Sequence, residues 1–174
     1  MNTNSPSTKE AIFWDLEREL AVTRKVLERL PREHFDWKPH EKSMSLGKLA
    51  LHVATLPDWA RGAIGEDGLD ASTAPRPPSE LKSQKDLLDY FDRNANALRE
   101  AVARFDAAKF GQTWTMRNGQ KVMTSQPRAT VYRVWCLNHL IHHRGQLCLY
   151  LRLLNIPVPT VYFNTADDPT WVFS

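Results

Sequence analysis

Apolar side chains recur at spacings of three and four residues over much of the chain, which is the pattern of helices that bury one face. The first such stretch runs from Ser7 to Leu30, and Ser7 followed by Glu10 is a capping-box pattern for its start. Pro31 ends this predicted helix. Residues 32–44 show no periodicity and predict an ordered loop.

A second predicted helix begins after Ser45, is expected to bend at Pro57, and ends at Gly65 and Gly68. The run 69–78 that follows is rich in proline and small polar residues, which favours a connection over a regular element. It predicts a long crossover, a connection that permits neighbouring helices of a bundle to run parallel.

The pattern then predicts a third helix and a hairpin. Ser83 begins the helix, whose apolar stripe extends over 87–105. Residues 114–124 alternate around Asn118-Gly119, a dipeptide favoured in two-residue type I′ turns. A small hairpin is therefore expected to cover one end of the helices.

A fourth and longest helix is predicted to open at Pro127 and to run to about Leu154, where Asn155 and Pro157 stop it. The proline-rich tail 156–174 is expected to pack back on the helices through Val161, Tyr162, Phe163, Trp171 and Phe173. The predicted fold class is all-α: a four-helix bundle with a long crossover connection, a small β-hairpin and an irregular C-terminal tail.

Composition limits the class of protein further. The chain has 174 residues and 42% hydrophobic content, which predicts one domain over 1–174. A net charge of +3 with interspersed signs gives no indication of a nucleic-acid partner or an anionic membrane surface. The N-terminus lacks a signal-peptide pattern and no run of about 18 apolar residues occurs, so a cytoplasmic protein is expected. Cys136 and Cys148 are expected to be reduced core residues.

Two histidines of the fourth helix are candidate metal ligands. His139 and His143 are one helical turn apart, about 40° around the axis, so both imidazoles can reach one ion. A chance cluster on an amphipathic helix is the competing interpretation. Residue 140 is leucine, which excludes an H-E-x-x-H metalloprotease because its general-base glutamate is missing. His142 faces to the other side of His139.

A metal site needs a third protein ligand, and His52 on the apolar side of the second predicted helix is the natural candidate. Taken alone, a histidine between Leu51 and Val53 is more often a hydrogen-bonded core residue. His34 and His40 lie in the predicted loop and are expected to be solvated.

A partly polar, aromatic lining is predicted around these ligands, and no residue is assigned a catalytic role. Its members, as pocket or outer-shell residues, are Gln146, Trp59, Tyr132, Trp135 and Tyr150. Gln146 is expected either to orient a ligand imidazole or to bond to core backbone, whereas the tyrosines alone favour plain core packing.

The opposite side of the fourth helix is also largely apolar, although Arg133, Arg144 and Arg152 interrupt it. Such a helix needs two partners. The second is either another subunit in a two-fold dimer or the C-terminal tail of the same chain.

Two segments, FDWKPHEKSMSLGKLALHVATLPDW and NHLIHHRGQLCLYLRLLNIPVPTVY, make the chain resemble the DinB family of the DinB/YfiT-like metalloenzymes. The specific matches are His52 and the pair His139 and His143 followed by Arg144-Gly145-Gln146. The resemblance implies a four-helix bundle, three histidines that bind a divalent ion such as zinc or nickel, and frequent dimers.

The wider superfamily includes S-transferases and isomerases that use low-molecular-weight thiols, so the resemblance implies a thiol-dependent S-transferase acting on a small molecule. A metal-bound water would instead support a hydrolase. Three imidazoles leave at least one coordination position for water or substrate, which is the open arrangement of catalytic metal sites. The alternative is a non-catalytic stress-response protein that binds a metal ion or a small ligand.

Overall fold

The computed structural model describes residues 8–169, which are mostly helical with one small sheet. The helices are α1 Thr8–Phe13, α2 Leu16–Leu27, α3 Leu46–Gly65, α4 Gln84–Arg104, α5 Arg128–Thr130 and α6 His139–Leu153, with a π-helical segment Val131–Asn138 joining the last two. The strands are β1 Gly68–Asp70, β2 Thr113–Asn118 and β3 Lys121–Pro127. Four long helical stretches therefore dominate the fold.

The long helix α3 lies at the centre of the core. It packs against α4, the π-helical segment and α6, and α2 contacts both α4 and α6. Leu49 and Val53 of α3, Leu87 of α4 and Leu147 of α6 are completely buried. Burial of this apolar surface is the main force that fixes α3 beside α6.

The prediction of one continuous first helix is wrong, because α1 and α2 are separate helices. Asp15, at the N-cap position of α2, is buried and forms an ion pair with Arg133 at 2.7 Å. Arg133 also donates to the Ile12 carbonyl at 3.3 Å, an acceptor that a continuous helix would use for its own ladder. The helix α2 ends at Leu27 and not at Leu30, and Ser7 of the predicted capping box lies outside the described residues.

The predicted starts of two helices are confirmed by their caps. The Ser45 hydroxyl accepts the backbone N–H of Lys48, and the Ser83 hydroxyl accepts that of Asp86 at 3.0 Å. The helix α3 continues through Pro57 to Gly65.

The end of α6 at Leu153 agrees with the end predicted from the sequence. Asn155 adopts a left-handed conformation with φ 57°, its N–H donates to the Arg152 carbonyl, and the Ile156 N–H donates to the Leu151 carbonyl at 2.9 Å. These two bonds form a Schellman motif, which satisfies carbonyls that the helix end would otherwise leave free.

The predicted hairpin is present, but its turn is one residue later than expected. Gly119 and Gln120 connect β2 to β3, with Gly119 at φ 59° and Asn118 still paired with Lys121. The sequence also missed β1, which pairs in parallel with β2 and makes the sheet three-stranded. Three residues are too short for an alternating pattern to be visible.

The described part of the tail packs back on the helices as predicted. Val158 is buried and Val161 packs against the core, whereas Phe163 is largely exposed. The predicted contacts of Trp171 and Phe173 lie outside the described residues. No described helix combines the length and the apolar character that crossing a membrane requires.

Gly68→Ala is expected to destabilise the protein by about 1–3 kcal/mol, because the new methyl group overpacks the β1–β2 pair. A Cβ at Gly68 would lie 2.5 Å from the Thr115 carbonyl oxygen, which belongs to the backbone and cannot turn away. Urea unfolding measures the loss. Gly65→Ala is the control, since nothing lies within 4 Å of a Cβ there. Equal stability of the two variants would contradict the close approach.

Candidate metal centre

The three predicted ligand histidines come together although 87 residues separate His52 from His139 along the chain. His52 lies within α3, and His139 and His143 occupy the first two turns of α6. The His139 Nε2 atom is 3.2 Å from Nε2 of His52 and 2.8 Å from Nε2 of His143. All three side chains are half-buried, so the cluster is open to solvent on one side.

Within residues 8–169, these histidines are the one group of three or more histidine, cysteine or acidic residues placed to hold a metal ion. Their candidate ligand atoms all lie within 4.8 Å of one another. The cluster contains imidazoles alone, so every protein donor in it is neutral when deprotonated.

In two of the imidazoles, the Nδ1 atom forms a hydrogen bond that determines which ring nitrogen carries the proton. Nδ1 of His139 is 3.2 Å from the Trp135 carbonyl oxygen, and Nδ1 of His143 is 2.6 Å from Oε1 of Gln146. Both partners are acceptors, so each Nδ1 carries the hydrogen and donates it. Each Nε2 is then left with a lone pair, and two lone pairs face each other at 2.8 Å. Such an arrangement is repulsive unless a cation lies between them.

Burial favours the neutral form of His52 and His143. The pKa of His52 is lowered to about 4, mainly by burial and in smaller part by the nearby His143 and His139. Burial also lowers the pKa of His143, although its bond to Gln146 opposes the shift. Near pH 7 these two rings are therefore neutral, and the neutral imidazole is the form that binds metal ions.

A local change of helix type supplies one of these bonds. The π-helical segment ends where α6 begins, and the backbone N–H of His139 donates to the Cys136 carbonyl, three residues back. The Trp135 carbonyl instead accepts a hydrogen bond from Nδ1 of the His139 imidazole. Such π-helical turns occur often at functional sites.

Two of the predicted lining aromatics lie at the cluster. The indole of Trp59 is edge-on to the His52 ring, with centroids 5.5 Å apart, and its centroid is 6.0 Å from that of His139. Trp135 contributes its carbonyl, and its side chain is 48% exposed. Gln146 contacts His143 as described above.

The other two predicted lining residues pack elsewhere in the core. Tyr132 is buried against Phe13 and Phe110, and Tyr150 packs on Trp37 while its hydroxyl donates to the Met44 carbonyl. The prediction for Tyr132 assumed α-helical angles throughout, and the π-helical segment changes its position relative to His139. Plain core packing, the favoured interpretation of the tyrosines, describes both.

The remaining three histidines and the two cysteines lie outside the cluster. His34 is half-buried at the end of a short 3₁₀ helix, so the prediction that it is fully solvated is wrong. His142 is exposed with its ring beside that of His143, and His40 is exposed and accepts the backbone N–H of Lys42 through Nδ1. Both cysteines are free, and burial raises the pKa of Cys136 to about 12 and also raises that of Cys148. Their thiols are protonated at neutral pH and are poor nucleophiles.

Sequence analysis missed a buried ionic network directly behind the ligands. Arg144 follows His143, is 1% exposed, and forms an ion pair with the equally buried Glu19 at 2.7 Å. Its guanidinium also donates to the hydroxyls of Thr23 and Tyr162, and Tyr162 donates to Glu19. The available signal was the pair Glu19 and Thr23, two polar residues four apart on the buried side of α2.

Comparisons with known proteins concern the family and the fold. A sequence model of the DinB family matches residues 1–170. A DinB-like protein of Bacillus cereus has a similar structure (TM-score 0.67, 20% identity, 88% of this chain and 97% of that chain covered). YjoA, a DinB-like protein of Bacillus subtilis, follows at TM-score 0.66 and 19% identity, with 87% and 96% covered.

A third solved structure, assigned to the DinB family, comes from Exiguobacterium sibiricum (TM-score 0.61, 22% identity, 90% of this chain and 98% of that chain covered). At these identities the likenesses establish the fold. No functionally curated protein matches the sequence.

Proposed function

The chain belongs to the DinB family, and from this premise we propose that it is a metal-dependent enzyme whose ion is held by His52, His139 and His143. One observation carries the proposal: three Nε2 atoms converge while the Nδ1 protons of His139 and His143 point outward to acceptors. Outward hydrogen bonds of this kind orient ligand imidazoles in metalloproteins.

The donor set fits a divalent transition metal. With bonds of about 2.05 Å, two imidazole nitrogens on a tetrahedral zinc ion lie about 3.3 Å apart. The two observed separations from Nε2 of His139, 3.2 and 2.8 Å, are only slightly shorter than this value. Neutral imidazoles suit zinc and nickel, which are the ions we propose.

An ion with three protein ligands supplies Lewis acidity at its open position and favours the deprotonated form of a water or thiol there. We propose that the reaction uses a low-molecular-weight thiol as co-substrate in transfer to a small molecule, with hydrolysis as the related possibility. The chain's own contribution is positional. The Trp135 carbonyl and Gln146 hold two imidazoles in one tautomer, and Trp59 covers one side of the His52 ring.

The proposal extends to assembly. We infer that the four long helices form one bundle, with the α3–α4 link as its crossover, and that residues 1–174 form a single domain. Val134 of the π-helical segment and Leu149 and Leu153 of α6 are each more than half exposed, which supports a homodimer through this part of the chain.

A purely structural ion would tie α3 to α6, but these helices already share a buried core at Val53 and Leu147. Removal of metal by a chelator is therefore expected to leave most of the helix content intact. Circular dichroism before and after chelation measures this. Complete unfolding of the apoprotein would favour the non-catalytic alternative, in which the ion holds the fold together.

Gln146→Ala is expected to lower metal affinity by about 10–100-fold, because His143 loses the acceptor that orients its ring. Gln146→Glu keeps an oxygen at that position and is expected to retain most of the affinity. Competition with a chromophoric chelator measures both variants. If the alanine variant binds metal as tightly as the glutamate variant, Gln146 does not support the ligand.

The enzymatic part of the proposal is tested by turnover. Glutathione and 1-chloro-2,4-dinitrobenzene, whose thioether product absorbs light, are mixed with zinc-loaded or nickel-loaded protein. We expect product formation above the uncatalysed rate in the wild type and none above it with His139→Ala. Equal rates for the two proteins would refute catalysis of this thiol transfer at the cluster.

A further inference from the structure

An exposed indole lies directly beside the candidate metal centre. Trp59 follows His52 by seven residues, two turns along α3, so both side chains lie on one face. The Trp59 ring contacts the rings of His52 and His139, yet 46% of the residue remains exposed. The chain thus places an uncovered, flat apolar surface against two of the three ligand rings.

The charge of the centre is not balanced by the cluster itself. Three neutral imidazoles leave a divalent ion with its full charge of two, and no carboxylate or thiol of residues 8–169 belongs to the ligand group. The acidic residue next to Trp59 in sequence is Asp58, which is already paired with Arg61 at 2.7 Å. In a half-buried site an uncompensated dication favours a ligand that brings its own negative charge.

From these two observations we propose that the site takes a small organic anion, whose charged donor atom binds the ion and whose apolar, flat body packs against Trp59. This inference rests on the proposed metal centre and adds the chemical class of its substrate. The apolar body of such a ligand would cover the exposed indole of Trp59, and its anionic donor would balance the charge of the ion.

The probes are phenylacetate, acetate and phenylacetamide, added to cobalt-loaded protein whose visible absorption reports a ligand that reaches the ion. Phenylacetate and acetate carry the same charge and donor, whereas phenylacetamide keeps the ring and loses the charge. We expect phenylacetate to bind about three- to tenfold more tightly than acetate, the range that an aromatic contact provides. Phenylacetamide is expected to leave the spectrum unchanged.

Trp59→Ala is expected to make phenylacetate and acetate bind equally, while Trp59→Phe retains part of the preference. Trp14→Ala is the matched control, because Trp14 is 71% exposed at the junction of α1 and α2 and is expected to leave the preference intact. Circular dichroism confirms that each variant is folded. An unchanged preference in folded Trp59→Ala, or equal binding of the amide, would overturn the inference even though cobalt is bound. Failure to bind cobalt stoichiometrically would instead refute the metal centre itself.

Discussion

Glu19→Ala is expected to lower the free energy of unfolding by about 3–5 kcal/mol, the cost of leaving a buried charge without its partner. Arg144 and Glu19 are both nearly inaccessible to solvent, and their ion pair at 2.7 Å joins α6 to α2. Removal of the carboxylate leaves the guanidinium with the Glu19 carbonyl and the hydroxyls of Thr23 and Tyr162 as partners, none of which carries a negative charge. Urea unfolding measures the loss.

Glu17→Ala provides a matched control two residues away. Glu17 pairs with Arg99 on the surface, where the two side chains are 66% and 40% exposed. Exposed pairs contribute at most about 1 kcal/mol, so this variant is expected to be close to the wild type. A double variant, Glu19→Leu with Arg144→Met, removes both charges and is expected to be more stable than Glu19→Ala alone. If Glu19→Ala costs no more than Glu17→Ala, the ion pair is not structurally important.

His52→Ala, His139→Ala and His143→Ala are each expected to abolish stoichiometric metal binding. Loss of a direct ligand should exceed the roughly 10–100-fold effect of losing an outer partner, because only two imidazoles remain. Metal titration of each purified variant, with a chelator as competitor, measures the affinity.

Two other histidines serve as controls for these variants. His142 is exposed on the same helix, one residue before a proposed ligand, and His34 is a half-buried residue at the end of a short 3₁₀ helix before α3. His142→Ala and His34→Ala are expected to bind metal as the wild type does. Retention of tight binding in any of the three ligand variants would remove that residue from the site.

Short-range signals explain which parts of the fold could be predicted. The caps at Ser45 and Ser83 and the helix end at Asn155 depend on residues within one turn of the boundary, so the sequence records them directly. The break between α1 and α2 depends on Arg133, 118 residues away from Asp15. No local pattern reports such a contact.

The site could be predicted where the residues lie on a regular α-helix, because the helix then determines which side chains face the same way. His139 and His143 are one α-helical turn apart in α6, and their Nε2 atoms meet as the spacing requires. Tyr132 lies within a π-helical segment, where regular angles do not apply, and it packs into the core. Arg144 looked like a polar interruption because its partner Glu19 is 125 residues earlier.

The most direct test of the metal centre is elemental analysis of the protein purified without added metal, beside the His139→Ala variant prepared in the same way. His139 is the best residue to replace for this purpose, since its Nε2 atom lies within 3.2 Å of the Nε2 atoms of both His52 and His143. We predict close to one equivalent of a divalent transition metal in the wild type and little in the variant. Equal metal content in the two proteins, or none in the wild type even after reconstitution, would contradict the account.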